Sequence, residues 1–330
     1  VRIGGPAAGC ASPATLRGIC EIVRVCRELA YPFYVVGNGS NLLVSDQGYR
    51  GLVLQLYKNW NAITVCGTSA DDSGAALCEA RAESSASVKE NCGLYRTSVS
   101  AGLAGTPDQA IHPAESHAKA ARVLIHARSG AMLSVIAKRA LEEGLTGFEF
   151  ASGIPGTLGG AVVMNAGAYG GEMKDVLVGA TVLTQDGKIL EVPAEALELG
   201  YRRSAVIPNG WIVLEAKLSL SPGDPEMIRS RMEELKQQRQ QKQPLDLPSA
   251  GSTFKRPEGY FAGKLIMDAG LRGYTVGGTQ VSEKHCGFVV NRKDAKAEEV
   301  LRLMKEVPDR GREQFGVTLE PEIRMLGDFD

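Results

Sequence analysis

The chain has 330 residues, of which 44% are hydrophobic and 23% are charged, a composition typical of a globular protein of two or three domains and unlike that of a disordered or fibrous chain. Its 37 basic and 38 acidic residues give a net charge of −1, so the overall charge favours neither a nucleic acid nor an anionic membrane as a partner. No apolar run approaches the roughly 18 residues of a membrane helix, and no leader-like segment opens the chain. We therefore expect a soluble, cytoplasmic protein.

The cysteines and histidines argue against a metal centre. Seven cysteines stand at irregular spacings without a Cys-x-x-Cys pair, and none of the four histidines belongs to a His-Glu-x-x-His pattern. Zinc, iron–sulfur and metallohydrolase sites are therefore not predicted. An odd number of scattered cysteines is typical of thiols kept reduced in the cytosol. Cys20 and Cys26 fall on the apolar stripe of a predicted helix, where we expect small buried residues.

The first sixty residues predict an α/β unit. Val1–Ile3 resembles the middle of a strand, which indicates that an N-terminal piece is absent. Ser12 and Pro13 predict the cap and first turn of a helix, whose apolar face carries Leu16, Ile19, Cys20, Val23 and Cys26. Strands are predicted over 33–36, 42–44 and 52–54, and the loop Gly37-Asn38-Gly39-Ser40-Asn41 follows the first of them.

Residues 66–122 differ from the rest of the chain. They are rich in Ala, Ser, Gly and Glu and have no sustained helical or strand periodicity, so we predict a flexible insertion. It falls between two predicted strands, where a long loop adds little closure entropy if its ends are close. We expect the protein to fold with this insertion in place.

Regular elements return after the insertion. A strand is predicted over 123–127 and a helix from Met132 to Glu143, ended by Gly144. The glycine-rich stretch 144–171 predicts loops around Phe148-Glu149-Phe150 and Ala161-Val162-Val163-Met164. The later elements are strands at 177–183, 188–192 and 211–218, a helix from Pro225 that Pro244 ends, a Gly/Ser loop at 249–253 and a helix from about Ala295.

Two glycine-rich loops point to a ligand. Glycine lets main-chain N–H groups turn towards a phosphate, but Leu42 stands where the dinucleotide fingerprint needs a third glycine, and no Gly-Lys-Ser/Thr follows. The second loop is Ser152-Gly153-Ile154-Pro155-Gly156-Thr157-Leu158-Gly159-Gly160, followed by Asn165-Ala166-Gly167-Ala168-Tyr169-Gly170-Gly171. Either loop alone could serve only as a tight turn. Together, at strand ends of one region, they favour a cofactor with a pyrophosphate and a flat ring.

Longer motifs carry a resemblance to a known family. The segments are Ile3-Gly4-Gly5-Pro6-Ala7, Gly37-Asn38-Gly39-Ser40-Asn41-Leu42-Leu43, Phe150-Ala151-Ser152-Gly153-Ile154-Pro155-Gly156, Met164-Asn165-Ala166-Gly167-Ala168-Tyr169, Gly200-Tyr201-Arg202-Arg203-Ser204, Ala250-Gly251-Ser252-Thr253-Phe254-Lys255 and Leu319-Glu320-Pro321-Glu322-Ile323-Arg324. In this order they closely resemble the UDP-N-acetylenolpyruvoylglucosamine reductases of peptidoglycan synthesis. The short run between Ser204 and the helix at 225 is similar to the shorter, second subtype.

The resemblance implies an α+β fold. Two subdomains, 1–57 and 58–218, would hold FAD in the manner of vanillyl-alcohol-oxidase (PCMH-type) flavoproteins, and 219–330 would form a C-terminal α+β substrate-binding domain. We expect a monomer. The FAD cradle would comprise Gly37, Asn38, Gly39, Ser40, Asn41, Ser152, Gly153, Ile154, Pro155, Gly156, Gly159, Gly160, Asn165 and Gly167.

The implied reaction passes a hydride from NADPH through FAD to the methylene carbon of UDP-N-acetylglucosamine enolpyruvate, which gives UDP-N-acetylmuramate. Charge then develops beside the substrate carboxylate, so the site needs charge stabilisation and a proton donor. By the resemblance, Arg202 and Glu322 would bracket the carboxylate and Ser252 would donate the proton. Tyr201, Lys242 and Lys255 would contact the substrate, Lys242 near the phosphates.

Each assignment has a plainer alternative. Arg202 could be a surface arginine, Ser252 a turn residue, Glu322 one of 38 acidic groups, and Lys242 a solvated helix end. At the level of function, the alternatives are another FAD-dependent oxidoreductase of the same fold or a catalytically impaired flavin-binding homologue. Three departures from the family bear on this choice: the 66–122 insertion, the missing N-terminus, and Arg128, whose bulk we expect to disturb FAD packing.

Overall fold

A computed structural model describes residues 2–66, 96–98 and 122–329, with the backbone alone for 96–98. The predicted insertion at 66–122 therefore lies outside the described residues, apart from Cys66, the backbone of 96–98 and Arg122. That backbone forms a strand, which the lack of periodicity in the sequence did not indicate.

The N-terminal unit is a small parallel sheet with strand order β1–β4–β2, covered by the helix Leu16–Glu28. Its strands are β1 Ala7–Ala11, β2 Phe33–Val36 and β4 Tyr49–Gln55. The helix buries Ile19, Val23 and Cys26, as its apolar stripe predicted.

Two local predictions at this end are wrong. The first strand begins at Ala7 and not before Gly4, because Gly4 has a φ of +116°, outside the strand region. The helix is capped by Thr15 and not by Ser12, since the Thr15 hydroxyl accepts the Gly18 N–H at 3.1 Å.

The central unit is built on a larger, mainly antiparallel sheet with strand order β5–β7–β13–β11–β12–β6, and β8 pairs with the last two residues of β13. The strands are β5 Ile63–Cys66, β6 Arg96–Ser98, β7 Val123–Arg128, β8 Leu145–Thr146, β11 Leu177–Leu183, β12 Ile189–Pro193 and β13 Ile212–Pro222. A hairpin of β9 Gly167–Ala168 and β10 Gly171–Glu172 stands beside it. Short 3₁₀ turns lie at Glu149–Ala151, Met173–Asp175 and Ala194–Leu197.

Two helices, Leu133–Glu142 and Leu158–Met164, pack into the core of the central unit. The second replaces the loop that we predicted around 161–164. Its glycines give little intrinsic helical preference, but Leu158 and Val162 are fully buried on its inner face. Packing against the core therefore stabilises a helix that local propensity does not favour.

The C-terminal unit has a four-stranded sheet of order β14–β17–β16–β15. Its strands are β14 Ser249–Ser252, β15 Thr275–Val276, β16 Thr279–Val281 and β17 Phe288–Asn291, and its helices are Ala262–Asp268 and Ala297–Phe315. The helix Pro225–Lys242 precedes this unit along the chain but packs against the central unit, on the helix Leu133–Glu142 and the turn Glu149–Ala151. The segment 249–252, predicted as a loop, is thus a strand paired with β17. None of the helices in the described ranges is long and apolar enough to cross a membrane.

The end of the chain returns to the N-terminal unit. Strand β18 Arg324–Leu326 pairs in parallel with β3 Leu42–Val44. Next to it, the Asp46 carboxylate accepts the backbone N–H groups of Ala297 and Glu298 at 2.8 and 3.1 Å. This joint holds the C-terminal unit against the segment that follows the first glycine loop.

The cysteines follow the prediction only in part. Cys26 is buried in the N-terminal helix as expected, and Cys286 is a buried free thiol in the C-terminal unit. Cys66 is disulfide-bonded, so the prediction of reduced thiols is wrong for this residue. The spacing of cysteines along a chain carries no information on which of them approach in space.

Candidate active site

A large cavity of about 760 Å³, here called the cofactor cavity, lies between the two glycine-rich loops. Eleven of the predicted cofactor residues line it: Gly37, Asn38, Gly39, Ser40, Asn41, Ile154, Pro155, Gly156, Gly159, Gly160 and Gly167. Six of these eleven residues are glycines, so main chain is exposed along this part of the wall. Such walls let a long, flat ligand approach closely.

The two loops are in direct contact. A Cβ atom at Gly37 would stand 2.1 Å from the hydroxyl oxygen of buried Thr157, closer than any real contact. The Asn38 side-chain amide donates to the Pro155 carbonyl at 3.0 Å. Glycine is thus required at position 37 by the packing of one loop on the other.

A second cavity of about 470 Å³ adjoins the first on the side of the C-terminal unit. Among the described residues, three line both cavities: Arg202, Ser252 and Glu322. We call this trio the junction. The three side chains predicted to act on the substrate therefore lie together, although 50 or more residues separate each from the next along the chain.

Arg202 reaches the junction from a tight turn. The turn is closed by two backbone hydrogen bonds between Gly200 and Arg203, and it holds Arg202 at a φ of +55°, unusual for a residue with a side chain. The Asn165 amide, buried beneath, donates to the Gly200 carbonyl at 3.1 Å. The Arg202 guanidinium meets the Glu322 carboxylate at 2.6 Å, with both side chains mostly buried.

Glu322 and Ser252 are brought together by adjacent backbone segments. The Glu322 N–H donates to the carbonyl of Thr253, the residue after Ser252, at 2.8 Å. Burial raises the pKa of the Glu322 carboxyl, and the nearby Arg202 and Lys255 charges partly oppose that rise. The junction thus holds a cation, a carboxylate with a raised pKa and a hydroxyl.

Sequence comparisons identify the relatives of this chain. Residues 243–326 match the family described as UDP-N-acetylenolpyruvoylglucosamine reductase, C-terminal domain, and residues 114–193 match the FAD binding domain family. The UDP-N-acetylenolpyruvoylglucosamine reductase of Agathobacter rectalis is 49% identical over 99% of this chain and 90% of the relative. That of Clostridioides difficile is 41% identical over the same shares.

The chain belongs to the UDP-N-acetylenolpyruvoylglucosamine reductase family.

A solved structure agrees with this assignment. The crystal structure of the reductase from Thermus caldophilus aligns with a TM-score of 0.67 at 30% identity, over 98% of this chain and 94% of that one. The predicted α+β fold is confirmed, with an FAD-binding region and the reductase C-terminal domain. The chain is an FAD-dependent oxidoreductase that functions in peptidoglycan synthesis.

The cofactor cavity of this reductase fits FAD, and we therefore call it the FAD cavity. Its volume lies towards the upper end of the roughly 300–1,000 Å³ typical of small-molecule sites. Two buried polar atoms that line it, the Ser129 hydroxyl and the Gln243 carbonyl oxygen, have no hydrogen-bond partner within the part of the chain that the structure describes. A polar ligand would satisfy them, since buried polar groups seldom stay unpaired.

Arginines missed by the sequence analysis also line the FAD cavity. These are Arg27, Arg239 and Arg324. Burial lowers the pKa of the Arg239 guanidinium, and positive charges here suit the phosphates of FAD. The Glu-x-Arg spacing of Glu322 and Arg324 was a usable signal, whereas nothing in the local sequence marked Arg27 or Arg239.

Three of the predicted FAD-binding residues, Ser152, Gly153 and Asn165, do not line the FAD cavity. The Ser152 hydroxyl donates to the Glu149 carbonyl at 2.7 Å, and Gly153 packs against the Arg239 side chain. Buried Asn165 supports the Arg202 turn and, through its Oδ1, accepts the Lys174 N–H at 2.9 Å. These residues shape the site from outside the cavity.

Arg128, which we expected to disturb FAD packing, is held away from the wall of the FAD cavity. Its guanidinium lies over the ring of buried Trp60 at 3.9 Å from the ring centre and 3.6 Å from the Glu215 carboxylate. Among the described residues of the FAD cavity wall, Arg128 does not appear, and its neighbour Ser129 does. The side chain therefore packs against Trp60 and Glu215.

Of the three predicted substrate residues, one lines the second cavity and two lie outside it. Tyr201 lines the second cavity, and its hydroxyl accepts the Arg256 N–H at 2.9 Å. Lys255 forms an ion pair with Glu320 at 3.0 Å outside that cavity, and Lys242 is exposed in the last turn of its helix. Several basic residues that the sequence analysis missed do line the second cavity: Arg256, Lys264, Arg272, Lys284 and His285.

Proposed function

We propose that this reductase uses NADPH to reduce UDP-N-acetylglucosamine enolpyruvate to UDP-N-acetylmuramate, with Arg202, Ser252 and Glu322 acting on the enolpyruvyl group. One observation carries the proposal. The three side chains line both the FAD cavity and the second cavity, so a substrate bound in the second cavity would present its reacting end to the cofactor beside them.

When held by the loops that line the FAD cavity, FAD would supply the hydride chemistry that links NADPH to the substrate methylene carbon. The junction residues act on the charge that develops next to that carbon. Arg202 stabilises the negative charge on the substrate carboxylate and the adjacent carbon. Glu322 holds the Arg202 guanidinium at 2.6 Å and fixes the direction in which it points.

Ser252 donates the final proton. A serine hydroxyl is a weak acid, but an enolate-like carbon is a strong enough base to take its proton when the two are well placed. Ser252 ends the strand Ser249–Ser252, so it is positioned by a sheet and not by a free loop. Gly251, with a φ of +80°, turns the main chain just before it.

The second cavity suits the nucleotide part of the substrate. Arg256, Arg272 and Lys284 place positive charge along its wall, where a diphosphate would be held. Lys242 stands outside this wall. We therefore propose that these three side chains, together with Tyr201, bind the substrate, and that the phosphate role expected of Lys242 falls to them.

The remaining assignments are proposals of the same kind. FAD subdomains would occupy 1–57 and 58–218, and the substrate-binding domain 219–330. We also propose that the reductase acts as a monomer. We place it in the cytoplasm, where NADPH and nucleotide sugars are available.

An anaerobic two-step experiment tests the function. The FAD-loaded protein is mixed with one equivalent of NADPH and the visible flavin band is followed, and UDP-N-acetylglucosamine enolpyruvate is then added. We expect the band to bleach with NADPH and to return only with the enolpyruvyl substrate. A band that stays bleached after the substrate is added would refute the proposal and favour another flavin-dependent oxidoreductase.

A further inference from the structure

Asn41 ends the first glycine loop, but its side chain is bound to the end of the chain. Its Nδ2 donates to the Glu322 carbonyl at 3.1 Å, and its own carbonyl accepts the Arg324 N–H at 3.1 Å. The parallel pairing of β3 with β18 begins at the next residue, with Leu42 beside Arg324. The Asn41 amide therefore extends this pairing by one further hydrogen bond, at the residue that carries the junction carboxylate.

The Glu322 backbone is held from the other side as well. Its N–H donates to the Thr253 carbonyl at 2.8 Å, and the Lys255 N–H donates to the Glu320 carbonyl at 2.8 Å. Both groups of the Glu322 main chain are thus bonded, one to the cofactor loop and the other to the segment that follows Ser252. Two such bonds fix the backbone from which the carboxylate reaches Arg202.

We propose that Asn41 is a positioning residue, whose side-chain amide couples the cofactor loop to the Arg202–Glu322 pair and so keeps this pair in register with Ser252. The coupling would act only on the step in which the substrate is reduced. This inference rests on the role proposed for Glu322.

The other asparagine of the loop provides a contrast. The Asn38 amide donates to the Pro155 carbonyl and so ties the first glycine loop to the second. Both asparagines line the FAD cavity, and each side-chain amide is bonded to protein. Asn38 therefore supports the cradle, whereas Asn41 supports the junction.

The test separates the two half-reactions by stopped flow. In Asn41→Ala we expect FAD content to be retained, flavin reduction by NADPH to stay within about threefold of wild type, and reoxidation by the enolpyruvyl substrate to slow at least tenfold, because a misplacement of about 1 Å can slow catalysis about 10²-fold. Asn41→Asp keeps the size but cannot donate, and it should behave in the same way. If the Asn41→Ala variant folds poorly, the Asn41→Asp variant provides the same test.

Two further variants make the outcome decisive. Asn38→Ala should weaken FAD binding and slow both half-reactions together. Glu322→Gln should slow reoxidation, and adding Asn41→Ala to it should slow reoxidation by less than the product of the two single effects.

Three results would overturn the inference. Loss of FAD and of both half-reactions in Asn41→Ala and Asn41→Asp, as in Asn38→Ala, would make Asn41 a cofactor residue. Fully multiplicative effects with Glu322→Gln would remove the coupling. Normal reoxidation in Glu322→Gln would refute the proposed role of Glu322 itself, and the coupling with it.

Discussion

The cradle formed by residues 37–41 and 154–160 offers a ligand mostly main chain, whereas the junction offers three side chains. At Gly37 the essential property is the absence of a Cβ, since Thr157 occupies that space. At the junction the essential properties are a guanidinium and a carboxylate paired at 2.6 Å, and a hydroxyl that lines the same two cavities. The cradle should therefore be sensitive to added atoms, and the junction to lost functional groups.

Removing the proton donor should give the largest effect on the junction. We expect Ser252→Ala to slow reoxidation of the flavin by substrate about 10²–10⁴-fold, the usual contribution of a general acid, with flavin reduction by NADPH nearly unchanged. Rapid-mixing measurements of each half-reaction check this. Ser249→Ala, in the same strand but outside the lining of both cavities among the described residues, is the control and should be close to wild type. Equal slowing of both half-reactions would contradict the assignment.

Adding one methyl group should damage the cradle. Overpacking of this kind costs about 1–3 kcal/mol, so we expect Gly37→Ala to weaken FAD binding about 10–100-fold, measured by flavin fluorescence titration. The added Cβ would meet three Thr157 atoms, so rotation of that side chain gives no relief. Adding Thr157→Ala removes two of the three and should restore part of the affinity. A double variant no better than Gly37→Ala would show that the clash is not the cause.

The contacts that hold the N-terminal and C-terminal units together can be compared with contacts between neighbours along the chain. Asp46 caps the helix Ala297–Phe315 from a segment 251 residues away, whereas Asp224 caps the helix Pro225–Lys242 next to it through the Glu226 N–H at 2.9 Å. Loss of a cap costs about 1 kcal/mol. We expect Asp46→Ala to lower the free energy of unfolding more than Asp224→Ala, because it also loosens the joint between units. Urea unfolding at saturating FAD measures both, and equal losses would contradict this expectation.

The smallest expected effect concerns the pH dependence of stability at the junction. Burial raises the pKa of the Glu322 carboxyl above its ordinary value of 4.5, so the folded chain binds this proton more tightly than the unfolded chain. The resulting stabilisation is complete below pH 4.5 and is lost as the pH rises through the raised pKa. The free energy of unfolding of wild type, relative to Glu322→Gln, should therefore fall over that interval in a pH series of urea unfolding curves. A rising difference would show that Arg202 outweighs burial.

Local signals predicted elements well where the residues themselves start or stop a helix. Asp224 and Pro225 begin the helix that ends before Pro244, and the apolar stripe from Leu16 predicted the buried face of the first helix. The same reasoning failed at Leu158–Met164, since packing of Leu158 and Val162 outweighs the poor helical preference of Gly159 and Gly160. Strand Ser249–Ser252 was missed because its partner lies almost forty residues further on.

The sequence by itself determined the family, the two glycine loops and the identities of Arg202, Ser252 and Glu322, because each lies in a motif whose residue types are set by the chemistry of the ligand. The tertiary structure alone decided that these three residues join two cavities, that Lys242 stands outside both, and that Asn41 reaches Glu322. The physical reason is that such contacts unite segments far apart along the chain. Local conformational preference does not encode these contacts, and packing of the three units is what brings the residues together.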